Sequence, residues 1–343
     1  MVNIDDLVRK NVLTLTPYSC ARDEFKGEAA IFMDANENPF GKLNRYPDPY
    51  QRELKAAISK NKGIKEENIF LGNGSDEIID LCFRVFCNPG ADKALIFTPT
   101  YGMYEVSASV NDIHVLKVPL DENFQIDIKK AKPFFSDKNL KLIFICSPNN
   151  PTGNCMNLSD VEDIIRDFRG IVVVDEAYID FSDKPSFIKL VERYPTLIVM
   201  QTFSKAFGLA SVRVGMAFSN KDIIKYFNKM KPPYNISTIN QKAALKKISK
   251  PEVSKSQIIK IKKEKLRLSS YLDKMKLTEK VYPSDANFLL VKMKDANYVY
   301  NYLVDNSIIV RNRSSIIDNC LRITVGTRAE NSKLIKALNS ITL

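Results

Sequence analysis

Between residues 94 and 203 the chain alternates short, nearly unbroken apolar runs with turn-rich and helical stretches: ALIFTPTYGMYEVSASV, IHVLKVPL, KLIFICSPNNPTGN, VEDIIRDF, GIVVVDEAYIDF and LIVMQTF. A strand with one wet face alternates apolar and polar residues, so continuous Ile, Val and Phe runs mark strands covered on both faces. Strand, loop and helix repeated in this way predict an α/β fold whose large domain has a mostly parallel central sheet flanked by helices. Ligands of such sheets sit beyond the carboxyl ends of the strands. The polar residues of note fall at those ends: Tyr101 after FTPT, Asn150 after LIFICSPN, Asp175 and Tyr178 after IVVV, and Ser204 with Lys205 after LIVMQTF.

With 343 residues, 45% of them hydrophobic, the chain can bury a large core and still build a second, smaller domain. After Arg213 the strand VGMAFSN closes the series, and KPPYNIS (231–237) breaks it with two prolines. One long helical stretch, Gln241 to Lys276, is expected to lead into a small α+β unit. There ANFLLVKM, SIIVRN and CLRITVG read as strands, and NYVYNYLVDN and AENSKLIKALNSI as helices. The predicted division is a large unit at 40–240, with an N-terminal arm at 1–39 and a small unit at 241–343. The arm carries LTPYSCAR, IFMDANENPFG and NRYPDPYQ, whose prolines at 39, 47 and 49 exclude regular helix or central strand. An extended arm needs a surface to lie on, and a second domain or a second subunit supplies one.

Several function classes drop out on composition. No apolar run approaches the roughly 20 residues of a membrane span, and MVNIDDLVRKN lacks the apolar core of a signal peptide, so a cytoplasmic protein is expected. His114 is the single histidine and lies in the strand-like IHVLKV, which all but excludes a Ser-His-Asp triad or a multi-histidine metal site; it reads as structural, and the general base is expected to be another residue. Six scattered cysteines form no C-x-x-C pair, so neither disulfides nor a zinc site is expected, and no metal is. The net charge of +11 suits nucleic acid or small anions. Its densest run, Lys255 to Lys276, has Ile258, Ile259, Ile261, Leu266, Leu268, Leu272 and Met275 at near-helical spacing, which reads as a packed helix with a basic outer face and not as a nucleic-acid surface.

Two stretches carry candidate chemistry. GNGSDEIIDL places Gly72 and Gly74 before Ser75 and Asp76 at the start of an amphipathic helix; this reads either as a phosphate cup or as a plain N-capped turn. TFSKAFGLASVR places Lys205 at the mouth of the sheet with Ser204 beside it and Arg213 eight residues on, which suits a Schiff-base amine near a phosphate. A carboxylate at Asp175 can keep a pyridine nitrogen protonated, Tyr178 and Asn150 can donate to a ring oxygen, and Tyr101 offers a flat face. These parts describe a pyridoxal 5'-phosphate site.

The order SPNNPTGN, VVDEAYIDF, TFSKAFGLASVRVG and CLRITVGT resembles the fold-type I, pyridoxal-phosphate-dependent transferases. More narrowly, LTPYSCAR, DANENPFG, NRYPDPY, GNGSDEIIDL, PTYGMYEVSA and VRNRSSIIDNCLRITVGTRAEN look like the histidinol-phosphate aminotransferases, over about Leu15 to Asn331. The resemblance implies Lys205 as the cofactor-bound lysine, Asp175 at the pyridine nitrogen, Asn150 and Tyr178 at the ring hydroxyl and Tyr101 stacked on the ring. Gly74, Ser75, Asp76, Ser204 and Arg213 would hold the cofactor phosphate. Tyr46 would reach the site of a partner subunit, which makes a homodimer the expected active unit, and Tyr18, Asn150, Arg311 and Arg322 would bind substrate. Histidinol phosphate and 2-oxoglutarate or glutamate are the implied substrates, with neither nucleic acid nor membrane as partner. The segment RNRSSIIDNCLR is short for the family, which leaves the division of labour between Arg311 and Arg322 open. An aromatic amino acid aminotransferase and a phosphothreonine-type decarboxylase are alternatives on the same fold; a basic nucleic-acid-binding protein is the non-enzymatic one.

Overall fold

The computed structural model describes residues 3–19 and 31–341, so the Cys20–Arg22 end of LTPYSCAR lies outside the described residues. Strands β1 (Ile69–Asn73), β2 (Lys93–Thr98), β3 (His114–Pro119), β4 (Leu140–Cys146), β5 (Ile171–Asp175), β6 (Leu197–Thr202) and β7 (Val214–Ser219) form one sheet in the order β1-β7-β6-β5-β4-β2-β3. Four neighbouring pairs are parallel, and β7 runs antiparallel between β6 and β1. The continuous apolar runs have the predicted cause. Val172, Val174, Leu197 and Val199 enter one buried cluster while Ile171, Val173, Ile198 and Met200 enter another, so alternate residues are buried on opposite faces.

Among the helices, α1 (Lys10–Thr14), α3 (Ser75–Phe86), α4 (Met103–Val110) and α6 (Lys221–Met230) pack on one side of this sheet. On the other lie α2 (Arg52–Lys62), α5 (Leu158–Asp167) and α7 (Thr238–Ile248). Ile4, Val8 and Val12 join the first cluster, and Ala244 and Ile248 the second. The start of the arm and the segment just past 240 therefore pack on the large sheet, which sets the packing boundary beyond Ile248.

A second, antiparallel sheet of order β10-β11-β9-β8 comprises β8 (Thr278–Val281), β9 (Phe288–Met293), β10 (Arg311–Asn312) and β11 (Cys320–Thr324). One face of it is covered by α8 (Pro251–Asp273), α9 (Ala296–Asp305) and α10 (Arg328–Asn339) through Leu268, Leu272, Val299, Leu303, Leu334 and Leu338. Three sequence expectations change here. Helix Gln241–Lys276 is two helices, because Pro251 lacks the N–H and the room to continue the preceding turn and instead starts α8. Of SIIVRN only Arg311–Asn312 pairs as strand, and TEKV forms the edge strand β8.

The apolar residues of α8 also divide differently. Leu268 and Leu272 are buried, whereas Ile259 and Leu266 are 66% and 72% exposed; those two stand seven residues apart on the outer side. Its basic residues are not all outward either, since buried Lys265 donates to the carbonyls of Ser284 and Ala286 at 2.5 and 2.8 Å. Leu268→Ala should lower the unfolding free energy by about 3 kcal/mol and Leu266→Ala by less than about 0.5 kcal/mol. Urea titration of the two variants checks the contrast, and equal losses would contradict this packing.

Candidate active site

Asp175 is the last residue of β5 and only 3% exposed. Its Oδ2 accepts from the Tyr104 hydroxyl at 2.7 Å and its Oδ1 from the Ala177 amide at 3.0 Å. Burial pushes its pKa up, and these two donors oppose that by favouring the charged form. Tyr104 is itself fully buried and stacked on Phe144, with ring centroids 4.9 Å apart, so its hydroxyl is held in place. Sequence reasoning missed Tyr104. Its signal lay in GMYEVSA, where an aromatic three residues after Tyr101 reads as ordinary helix core.

Glu176, the next residue, is also buried and accepts from Ser186 Oγ at 2.6 Å, the Phe187 amide at 2.7 Å and Gln201 Nε2 at 2.8 Å. It fastens the loop after β5 to β6. Burial outweighs those donors and pushes its pKa up to about 7.

Lys205 follows β6, with its Nζ 5.5 Å from the centroid of the Tyr178 ring. Burial lowers its pKa, Arg322 adds to the shift, and Asp175 and Asp76 oppose it. Ser204 Oγ and Thr202 Oγ1 lie 3.0 Å apart beside it. Arg213 sits in the left-handed region at φ 53°, and its carbonyl accepts from the Gly74 amide at 2.8 Å while its Nη2 meets Asp76 Oδ2 at 3.1 Å. Gly74 has φ 78°, and a Cβ there would lie 2.4 Å from Arg213 Nη2. A Cβ on Gly215 would lie 2.5 Å from the Ser75 nitrogen. Both glycines are thus needed for β7 and its guanidinium to close on the start of α3, where first-turn amides point outward.

Arg322 of β11 reaches this place from the small sheet: its Nη1 donates to Asn150 Oδ1, and its guanidinium lies 5.4 Å from the Phe288 ring centroid. That bond occupies the oxygen of Asn150 and leaves its Nδ2 as a donor. Burial lowers the pKa of Arg322, the neighbouring Tyr178 hydroxyl opposes the shift, and Arg311 adds to it.

A cavity of about 240 Å3 is lined by Ser75, Asp76, Tyr101, Asn150, Asp175, Tyr178, Ser204, Lys205, Arg213 and Arg322, with Gly74 directly behind Arg213. The Asp76 carboxylate is engaged by Arg213 and, at 3.3 Å, by the Tyr101 hydroxyl. Besides Gly74, three predicted residues line no part of it. Tyr18 is 70% exposed on the arm, and Arg311 is exposed beside Arg322 on β10. Tyr46, 49% exposed, stacks on Tyr234 at 4.4 Å and borders a separate hollow of about 780 Å3 between the arm and α7.

The raised pKa of Glu176 fixes a pH dependence. The folded chain keeps this proton while the unfolded chain loses it near pH 4.5, so its stabilising contribution is full below about pH 4.5 and lost as pH rises through about 7. Glu176→Gln, neutral throughout, should gain on the unsubstituted protein by on the order of 3 kcal/mol between pH 4.5 and 8. Denaturant melts at the two pH values check this; a constant difference would contradict it.

The family Aminotransferase class I and II matches residues 19–338. The chain is 49% identical to a histidinol-phosphate aminotransferase of Cytophaga hutchinsonii, over 98% of this chain and 99% of that one. It is 51% identical to one of Bacteroides thetaiotaomicron, over the same shares. The crystal structure of the histidinol-phosphate aminotransferase from Clostridium acetobutylicum superimposes with a TM-score of 0.80 at 28% identity, covering 86% of this chain and 90% of that one. The chain belongs to the class I and II aminotransferases.

Proposed function

We propose that this aminotransferase is a histidinol-phosphate transaminase. It moves the amino group of L-histidinol phosphate to 2-oxoglutarate, giving imidazole-acetol phosphate and glutamate, as a step of histidine biosynthesis. The observation that carries the reading is identity of about half the residues, over nearly the whole length, to relatives of that name. No helix among the described residues is long and apolar enough to cross a membrane, and the reading places the enzyme in the cytoplasm.

The cofactor of the family, pyridoxal 5'-phosphate, fits the residues present. Arg213, the hydroxyls of Ser204 and Thr202 and the free amides of Ser75 and Asp76 suit its phosphate, and Gly74 leaves room that a Cβ would fill. Within that cup Asp76 acts through its amide, its carboxylate being the brace of Arg213. When bound, the cofactor supplies an aldehyde for the amine and a ring that accepts the electrons left at the substrate's α-carbon.

The remaining steps belong to the chain. Asp175, whose charged form the Tyr104 hydroxyl and the Ala177 amide favour, would face the ring nitrogen and hold a proton there. Asn150 Nδ2 and Tyr178 would donate to the ring hydroxyl, and Tyr101 would cover the ring face. Lys205 Nζ, in its neutral form, would take the proton from the substrate's α-carbon. Its lowered pKa supplies the neutral base at a lower pH than a solvated lysine would. Turnover should therefore fall as pH drops below that pKa, because the ammonium form cannot accept a proton.

Substrate binding falls to Arg322, with Arg311 assisting. The donor carries a phosphate and no carboxylate, glutamate carries two carboxylates and no phosphate, and a guanidinium fork takes either anion in bidentate fashion. A homodimer completes the site in this reading, with Tyr46 reaching the cofactor phosphate of the partner. Its support is the placement of Tyr46 outside the cavity of its own chain and the exposed Ile31, Met33, Phe40 and Leu43 along the same arm.

The purified protein, loaded with pyridoxal phosphate, should lose its visible absorption band on adding histidinol phosphate and recover it with 2-oxoglutarate; a preference for phenylalanine would reject the substrate assignment. Lys205→Ala should show neither the band nor turnover. A subunit mixture tests the shared site. Lys205→Ala chains, inactive alone, and Tyr46→Ala chains, weakly active alone, should regain activity when unfolded and refolded together, since a hybrid dimer contains one intact site. No gain on mixing would place Tyr46 outside the site.

A further inference from the structure

The pairing of β10 with β11 sets Arg311 opposite Arg322 and Asn312 opposite Leu321, and the bond from the Arg313 amide to the Cys320 carbonyl, 2.9 Å, carries the ladder one step further. Residues opposite one another across an antiparallel pair share a face of the sheet. Leu321 and Ile323 turn into the apolar cluster beneath α8, α9 and α10. Arg311, Arg313 and Arg322 therefore stand on the other face, the one from which Arg322 reaches Asn150.

Three guanidiniums on one face repel each other unless something negative joins them. The charges that reach Arg313 are those of Arg322 and Arg311, both positive; they and, more strongly, partial burial depress its pKa. Among the described residues no carboxylate forms an ion pair with it. Its Nε is buried without a hydrogen-bond partner, as is the neighbouring Ser314 Oγ. This partly buried guanidinium has a shielded, unpartnered Nε and no counter-charge among the described residues, a position that suits an anion.

We propose that Arg313 is a specificity residue for the phosphate of the amino donor. Together with Arg311 and Arg322 it forms a three-guanidinium recess suited to a phosphate monoester and richer in charge than a carboxylate requires. The inference rests on the donor named under the proposed function. A phosphate monoester near neutral pH carries about −1.5 to −2 charge and three acceptor oxygens, where a carboxylate carries one charge and two oxygens. The fork of Arg322 with help from Arg311 satisfies the carboxylate. The third cation is felt only by the anion with charge and an oxygen to spare.

Amino transfer from histidinol phosphate and from glutamate is measured for the loaded enzyme and for Arg313→Met and Arg313→Lys, with melting temperatures alongside. In Arg313→Met the KM for histidinol phosphate should rise about tenfold or more with kcat little changed, and that for glutamate by less than about threefold. Arg313→Lys should recover part of the difference. Inorganic phosphate, competing with glutamate, should inhibit Arg313→Met more weakly than the unsubstituted enzyme. Equal effects on both donors, or none on either, overturn the proposal, and Arg313→Gln carries the comparison if the methionine variant does not fold. If the unsubstituted enzyme rejects histidinol phosphate, the donor assignment fails, and the phosphate inhibition alone then decides the role of Arg313.

Discussion

The hydrogen bond from Tyr104 to Asp175 governs the rest of the site. A carboxylate at the end of a strand enclosed on both faces would take up a proton and lose its electrostatic use. Two donors, one from the rigid hydroxyl of a fully buried tyrosine and one from the backbone, hold it in place and counter the desolvation. Around it burial sets the larger shifts, lowering the pKa of Lys205 and raising that of Tyr178, while Asp175 holds the lysine's pKa up and adds to the tyrosine's rise.

A second constraint is steric. β7 comes back antiparallel between β6 and β1, and this reversal brings Gly215 against the turn at Gly74 and Ser75 while Arg213 closes over it. The positive end of α3, the guanidinium and the hydroxyls after β6 converge because two glycines let the backbones approach closely. The sheet thus brings together two segments far apart in the chain, and the loop containing Lys205 joins the end of β6 to Arg213.

Much of this was legible in the sequence, for identifiable reasons. Asp175, Asn150 and Lys205 stand out because a polar residue after an unbroken apolar strand has no place in a core, and Arg213 because it is a second cation eight residues from Lys205. Tyr104 and Glu176 did not stand out: a buried aromatic on a helix and an acid beside another acid look ordinary until their partners are known. Arg313 gained meaning only from the register of β10 on β11, which RNRSSIIDNCLR alone does not fix. Tyr46 and Tyr18 could be named but not placed, since their segment lies along the surface of a single chain. The long helix expected at Gln241–Lys276 failed at Pro251, where a local backbone rule outweighed the continuing apolar periodicity.

The bond between Arg322 and Asn150 joins the two sheets through residues with different duties. Under the proposed function Asn150 would serve the cofactor and Arg322 the substrate, while the guanidinium bond orients the Asn150 amide. Changes at the two positions will not combine additively. Attempts to retune this scaffold for a new amino donor by altering Arg322 will also disturb its hold on the cofactor, so donor range and cofactor retention are constrained to evolve together.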